Sequence, residues 1–401
     1  MKTCFVFLLT GWTLLAGSPD KLGLDPQRLA RIPVRMQELV DRAVIPGAVT
    51  LVARHGQVAS LEAVGWQEIE TRKSMRPDSI FQIMSMTKPF TSTAIMLLME
   101  EGRIALSDPV EKYLPDFHEQ WVIESTDSKI RTLHRSPRPV TLRDLLTHTS
   151  GMSGAPPGGA SKITVTLDRS LAEVVALDSQ GPLLFDPGTK WSYSNPGMAT
   201  LGRIVEVVSG QPYEKFVEDR ILRPLGMKDT FFYPPEEKWS RIAMLYARDG
   251  GHLVKARPDT QGGDPWNYRK GARYPCPECG LFSTAADLFR FYQMFLNNGV
   301  FNGVRLLSRP TVELATSNHT ADIHSAGAPA WGLGWSLVAG PVSSLQLISA
   351  GSYGHGGAFG TDAMIDPAKD MIRIFLIGIS EGGTDEARNA FMEMAGASLV
   401  D

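Results

Sequence analysis

One stretch constrains this chain more than any other: FQIMSMTKPFTSTAIMLLMEEG, residues 81–102. Phe90, Ala94, Ile95, Leu97 and Leu98 make it apolar on most faces, which predicts a buried helix. Pro89 falls in the first turn, where a missing N–H costs little, and Gly102 ends the run. Yet that first turn also carries Ser85, Thr87 and Lys88. Buried lysines are rare unless they are paired or used. Positions i and i+3 share a helix face, so the Lys88 amine comes within reach of the Ser85 hydroxyl. A serine hydroxyl is a weak nucleophile at its own pKa and needs such a neighbour. By itself S-x-x-K is a common pattern that equally fits a capping serine beside a solvated lysine, so the rest of the chain has to decide.

Around this helix the hydrophobic pattern switches between two periods. Leu29, Ile32, Met36, Leu39 and Val40 fall on one side of a helix over 24–43, which Ile45-Pro46-Gly47 stops. AVTLVAR (48–54) and QVASLEAVG (57–65) read as a hairpin turning at His55-Gly56. Near the other end, WGLGWSLV (331–338), SYGHGGAFGTDAMIDP (352–367) and MIRIFLIGIS (371–380) read as strands, and EARNAFMEMAGASLV closes the chain as an amphipathic helix. A helix followed by an antiparallel hairpin argues against a βαβ series. The predicted class is α+β: an antiparallel sheet flanked by helices, plus a mostly helical second domain. The expected layout is a catalytic domain over 24–398. In it 24–102 and 275–398 form the α/β part, and 103–274 a part of helices and loops. Within the latter, Phe185-Asp186-Pro187-Gly188 is a turn leading to Trp191-Ser192-Tyr193-Ser194-Asn195-Pro196, and 153–164 and 249–275 read as surface loops.

A net charge of −3 over 401 residues, with 43% hydrophobic and 21% charged residues, suits a globular protein whose main business is neither nucleic acid nor an anionic membrane. Lys2 followed by CFVFLLTGWTLLAGS reads as a signal peptide over 1–18, too short for a comfortable membrane span, with Ala16-Gly17-Ser18 for cleavage. The expected location is therefore periplasmic or extracellular, with no stable membrane insertion after signal removal. Cys4 leaves with the signal. Cys276-Pro277-Glu278-Cys279 has no second CxxC or Cys/His pair at zinc-ligand spacing, so it reads as a loop with or without a disulfide, and no metal or cofactor is expected. HExxH and G-x-S-x-G are both absent.

Ser85-Met86-Thr87-Lys88, Tyr193-Ser194-Asn195 and His355-Gly356-Gly357, in that order, resemble the S-x-x-K, Y-x-N and K-T-G or H-G-G elements of the serine β-lactamase and penicillin-binding-protein superfamily. The resemblance is nearest to class C β-lactamases and family VIII carboxylesterases. LLTHTSG (145–151), FDPGTKWSYSN (185–195), ILRPLGMKDTFF (221–232) and GLFSTAADL (280–288) look like the same family, and the likeness spans about 24–398. It implies the β-lactamase/transpeptidase-like fold and the following roles. Ser85 is the nucleophile that becomes acylated. Lys88 eases its deprotonation. Tyr193 is the general base or relays the proton to the leaving group, which a phenol can do near neutral pH only if an adjacent cation stabilises phenolate. Asn195 hydrogen-bonds substrate or Lys88. The oxyanion is met by the Ser85 N–H at a helix N-terminus and by the Ala358 N–H just past His355-Gly356-Gly357 on the edge strand.

His355 stands where β-lactamases and peptidases of this family carry a substrate-carboxylate-binding lysine, and a mostly neutral imidazole is a poor anion anchor. This favours an exported esterase for small or medium acyl esters, a small ester or amide being the only partner expected. The alternatives are a β-lactamase or D-alanyl-D-alanine carboxypeptidase, and a silent module that binds cell-wall fragments. The intact Ser85, Lys88 and Tyr193 speak against the last.

Overall fold

A computed structural model of the chain describes residues 16–127, 130–153, 163–260, 269–323, 328–340, 347–380 and 382–401. Of the expected signal segment, residues 1–15 lie outside these. Among the described residues no helix is long and apolar enough to cross a membrane.

Seven strands form the central sheet: β1 (Gly47–Arg54), β2 (Gln57–Glu68), β3 (Lys73–Ser74), β4 (Ser336–Leu337), β5 (Tyr353–Gly356), β6 (Asp362–Asp366) and β7 (Met371–Leu376). Their order is β4-β5-β6-β7-β1-β2-β3, and every neighbouring pair is antiparallel. The two ends of the chain thus meet at the β1/β7 ladder, where Val49 faces Leu376 and Leu51 faces Ile374. Both of these strands are buried along their whole length. The period-2 alternation of β1 divides its side chains between two cores. Ala48 and Val52 join Leu29, Ile32, Met36 and Phe391 of the terminal helices α1 (Pro26–Asp41) and, after the three helices below, α5 (Asp385–Ala397). Val49, Leu51 and Ala53 point into the larger core on the opposite face.

That larger core contains α2 (Lys88–Glu100), α3 (Asn195–Ser209) and α4 (Ala285–Leu296). Phe90 of α2 stacks on Phe291 of α4 at 3.8 Å between centroids, and Phe291 in turn lies parallel to Trp335. From Lys88 to Leu98 every residue of α2 is buried. The stretch 103–274 adds, besides short helices, two hairpins: Trp121–Asp127 with Ile130–Arg135, and Tyr246–Asp249 with His252–Lys255.

The strand expected over 331–338 shrinks to Ser336–Leu337. Gly334, at φ +78°, folds WGLGW back so that Trp331 bridges to Ser336. A Cβ on Gly334 would meet the Ser92 Cβ at 2.8 Å, so the turn is set by its approach to α2. Truncating the stacked, fully buried Phe90 to alanine is expected to cost about 3–5 kcal/mol. Urea unfolding followed by circular dichroism measures it, and a midpoint unchanged from the parent protein would contradict the packing described.

Candidate active site

Residues 81–88 are tied down from two directions. Phe81 and Gln82 pair with Ser283 and Phe282, the Ile83 N–H donates to the Leu281 carbonyl at 2.9 Å, and the Leu281 N–H donates to Thr87 Oγ1 at 3.1 Å. From the sheet side the Thr361 hydroxyl donates to the Ile83 carbonyl. These ties hold Met84 at φ +49°, a left-handed conformation that costs a non-glycine residue of order 1–3 kcal/mol. A 3-10 turn, Met84–Thr87, then carries Ser85, and the α-helix proper starts only at Lys88. Ser85 is partly exposed and lies in the leading turn, whose first N–H groups lack intrahelical partners.

The Lys88 amine is completely buried. It donates to Ser85 Oγ at 3.0 Å and to the Glu278 backbone carbonyl at 2.9 Å, and it sits 4.6 Å from the centre of the Tyr193 ring. Desolvation pushes its pKa from the ordinary lysine value down to about 7, against the opposing pull of the Glu278 charge. Tyr193 moves the other way. Burial raises its phenol well above the usual tyrosine range, although a hydrogen bond with Ser85 works against that. Burial thus acts on both groups in the direction of neutrality.

Tyr193 stands on a segment held by the 145–151 loop. Thr141 and Asp144 form a capping box at the preceding short helix, and Arg138 grips the Asp144 carboxylate with its two terminal guanidinium nitrogens, at 2.6 and 2.9 Å. His148 follows at φ +57°, and its Nδ1 accepts from the Ser194 N–H at 3.2 Å, which leaves the proton on Nε2. Ser194 caps α3 through the Gly197 N–H. Asn195 opens that helix, and its Oδ1 is buried with no hydrogen-bond partner among the described residues. Around Tyr193 the rings of His148, Trp191, Trp331 and His355 lie at 4.5, 6.4, 6.1 and 6.2 Å.

His355 reaches this cage from β5, next to Ala363 of β6. Its Nδ1 bonds the Gly356 carbonyl at 2.7 Å and therefore carries the proton, so Nε2 is a bare acceptor. Burial first, and then the nearby Lys88 charge, pull its pKa down to about 3. The imidazole is neutral through the whole working range, more firmly than an ordinary histidine would be.

The edge strand of the sheet is β4, not β5, because β4 covers Tyr353 and Gly354. The ladder stops there, so Gly356 is exposed and Gly357 and the exposed Ala358 lie on an unpaired flank, in a turn closed by the Gly360 N–H on the Gly357 carbonyl. Ala358 is thus one turn beyond the strand that was expected to carry it. A Cβ on Gly357 would meet Thr361 Oγ1 at 2.2 Å and the Ile83 carbonyl oxygen at 2.4 Å, so only glycine lets this turn approach the backbone before Ser85.

The structure thus gathers Ser85, Lys88, Tyr193 and His355 at one place, with Gly356, Gly357 and Ala358 alongside and Asn195 at the start of α3, two residues past Tyr193. Sequence reasoning passed over His148, Trp191, Trp331 and Glu278. The first two stand within or beside motifs already singled out, and Trp331 opens the misread strand. Glu278 lay inside the CPEC loop, read as uneventful. Cys276 and Cys279 form a disulfide with both residues buried. Their sulfurs and the Glu278 carboxylate lie within 4.8 Å of one another, but sulfurs bonded to each other are not thiolate ligands.

A profile of the family described as Beta-lactamase matches residues 35–396. The chain is 28% identical to esterase EstB of Burkholderia gladioli over 391 residues, 91% of this chain and 94% of that one. It is also 28% identical to a putative D-alanyl-D-alanine carboxypeptidase of Escherichia coli K12 over 386 residues, 90% of this chain and 85% of that one. Among solved structures it superposes with a TM-score of 0.77 and 24% identity on EstCE1, described as a hydrolase with promiscuous acyltransferase activity, covering 92% of this chain and 98% of that one.

The disulfide has a direct check. Trypsin should release residues 274–290 as one peptide, and iodoacetamide should modify its two cysteines only after reduction. Alkylation of the unreduced, denatured protein at both sites would show that the bond is absent.

Proposed function

Because the chain belongs to the Beta-lactamase family and is a serine hydrolase of that fold, we propose that it is an exported carboxylesterase acting through an acyl-enzyme on Ser85. The observation that carries this reading is the buried Lys88 amine, 3.0 Å from Ser85 Oγ and with its pKa held near neutrality. An amine in that state takes the serine proton as Oγ attacks the ester carbonyl carbon. The carbonyl electrons move onto an oxygen facing the N–H groups of Ser85 and Ala358. When the carbon–oxygen bond to the alcohol breaks, the neutral Tyr193 hydroxyl, hydrogen-bonded to Ser85 and beside Lys88, passes its proton to the departing oxygen and takes one back from the Lys88 ammonium, which restores the neutral amine. Water then repeats the sequence on the acyl-enzyme. Asn195, with an unpaired carbonyl oxygen, orients substrate or the amine.

Esters are favoured over β-lactams and D-alanyl peptides because His355 supplies no cation for a substrate carboxylate, and the surrounding cage is aromatic. Export is supported by the apolar run behind Lys2 and by a disulfide, which persists in oxidising compartments.

Wild type and Ser85→Ala would be offered a p-nitrophenyl short-chain ester, a chromogenic cephalosporin and a D-Ala-D-Ala peptide. Ester turnover that vanishes in the variant is the expected result. Faster cephalosporin or peptide turnover with little esterase activity would replace this reading with a β-lactamase or carboxypeptidase. Lys88→Ala and Tyr193→Phe are each expected to lower kcat by about 10²–10⁴-fold, the usual worth of general acid–base catalysis.

The pH dependence follows with a definite sign. Lys88 accepts a proton only when neutral, so kcat/KM should fall as pH drops through about 7. His355, neutral down to about 3, should add no step of its own between pH 5 and 9. A rate–pH profile flat from pH 5 to 8 would contradict the role given to Lys88.

A further inference from the structure

Lys88 is held by the backbone carbonyl of Glu278, yet the side chain of that residue is itself a buried acid whose charge acts on the amine. Both carboxylate oxygens accept from the one Tyr274 hydroxyl, at 2.9 and 3.0 Å. The same short loop grips α2 again one turn on, where the Thr91 hydroxyl donates to the Pro277 carbonyl at 2.6 Å. It is folded back on itself by the N–H groups of Cys279 and Gly280, which both donate to the Cys276 carbonyl, at 2.9 and 2.7 Å. The buried Arg269 spans its two ends through the carbonyls of Pro275 and Gly280. Cys276, at φ +59°, is held in a left-handed conformation that the covalent bond to Cys279 helps to maintain.

We propose that Glu278 is a positioning residue for Lys88: its carbonyl fixes the amine against Ser85, its buried carboxylate sets the amine's charge balance, and the Cys276-Cys279 disulfide holds both in place. The groups acting on Lys88 can be named. Ser85 and Tyr193 are neutral, and His148 and His355 are buried imidazoles kept neutral. Glu278 is the one acid among the described residues that acts on the amine. Burial raises the Glu278 carboxyl above the usual glutamate range, and Lys88, Tyr274 and Arg269, which face it, work against that by favouring its ionised form. Asp178 and Tyr213 also feel its charge, and both are pushed up in part by it. In its ionised form the carboxylate offsets part of the desolvation that lowers the Lys88 pKa. The disulfide matters because a four-residue loop free to flex would move the carbonyl and the charge together.

This inference rests on the acylation of Ser85 proposed above, and the test separates the two. The rate of fluorophosphonate labelling at Ser85 is measured against pH for the full chain, for Glu278→Gln and for the double variant Cys276→Ser/Cys279→Ser. This readout depends on serine activation and not on the substrate class. In Glu278→Gln the acid limb of the labelling profile should move to lower pH by about one unit, since removing a negative neighbour makes the amine easier to deprotonate. A merely structural glutamate would lower the rate at every pH without moving the limb, and an unmoved limb overturns the proposal. In the double serine variant the plateau rate should fall by about tenfold or more, because small misplacements of a reacting group are costly. A plateau within twofold of wild type overturns the disulfide's part. If that variant does not fold, the oxidised full chain is treated with a phosphine reductant and then reoxidised. Labelling should fall as thiols appear and return as they disappear, and labelling independent of thiol content is the contrary result. Absence of labelling at Ser85 in the wild type would instead overturn the acylation itself.

Discussion

The rest of the site depends on one desolvated ammonium. A lysine enclosed from every side loses the hydration that favours its charge, and the effective penalty for burying such an ion runs to several kcal/mol. Lys88 has two acceptors to offset this, a serine hydroxyl and a backbone carbonyl. The result is an amine near its titration point at neutral pH. That is where a group can both take and return a proton. An exposed lysine with the same two partners would keep its proton and be useless as a base.

Such burial cannot be made by local sequence alone. The carbonyl that receives Lys88 lies 190 residues further along the chain, and the ring beside it belongs to the segment leading into α3. Bringing these together needs the two halves of the sheet to close at β1 and β7, so that the 355–361 turn is pressed against Ile83. It also needs the backbone at Met84 to stay in a conformation it would leave if released. The Thr361 and Leu281 contacts supply that restraint. Strain beside Ser85 and glycine at 357 are two sides of one close approach.

How much of this was legible varies with whether the signal is local. The buried helix and the i, i+3 relation of Ser85 and Lys88 are written in a single stretch, and the hairpin and the last strand in plain periodicity. What escaped was tertiary. A glutamate between two cysteines reads as a solvated loop residue, because acids are seldom buried, and nothing in CPEC announces that Tyr274 and Arg269 will enclose it. A cation beside Tyr193 was the condition for its phenol to act near neutral pH. Sequence reveals neighbours but not dielectric, and burial acts on both groups in the direction of neutrality. In WGLGWSLV the apolar spacing of a strand was present, but Gly334 spends it on a turn against α2. The start of α2 at Lys88, with a 3-10 turn before it, likewise follows from restraints that lie outside the segment.

Neutrality then becomes the character of the whole site, and it bears on what the site can hold. His148 and His355 are fixed in opposite tautomers by single backbone contacts. The Ser194 N–H puts the proton of one on Nε2, and the Gly356 carbonyl puts that of the other on Nδ1. One ring thus turns a donor and the other an acceptor to its surroundings, and neither presents a charge. Introducing a second cation beside Lys88 would be opposed twice, by desolvation and by repulsion from any proton the amine carries. Two neutral imidazoles in its walls give the site little with which to recognise a carboxylate. It retains aromatic surface and single hydrogen-bonding atoms, the features on which the proposed esterase reading rests.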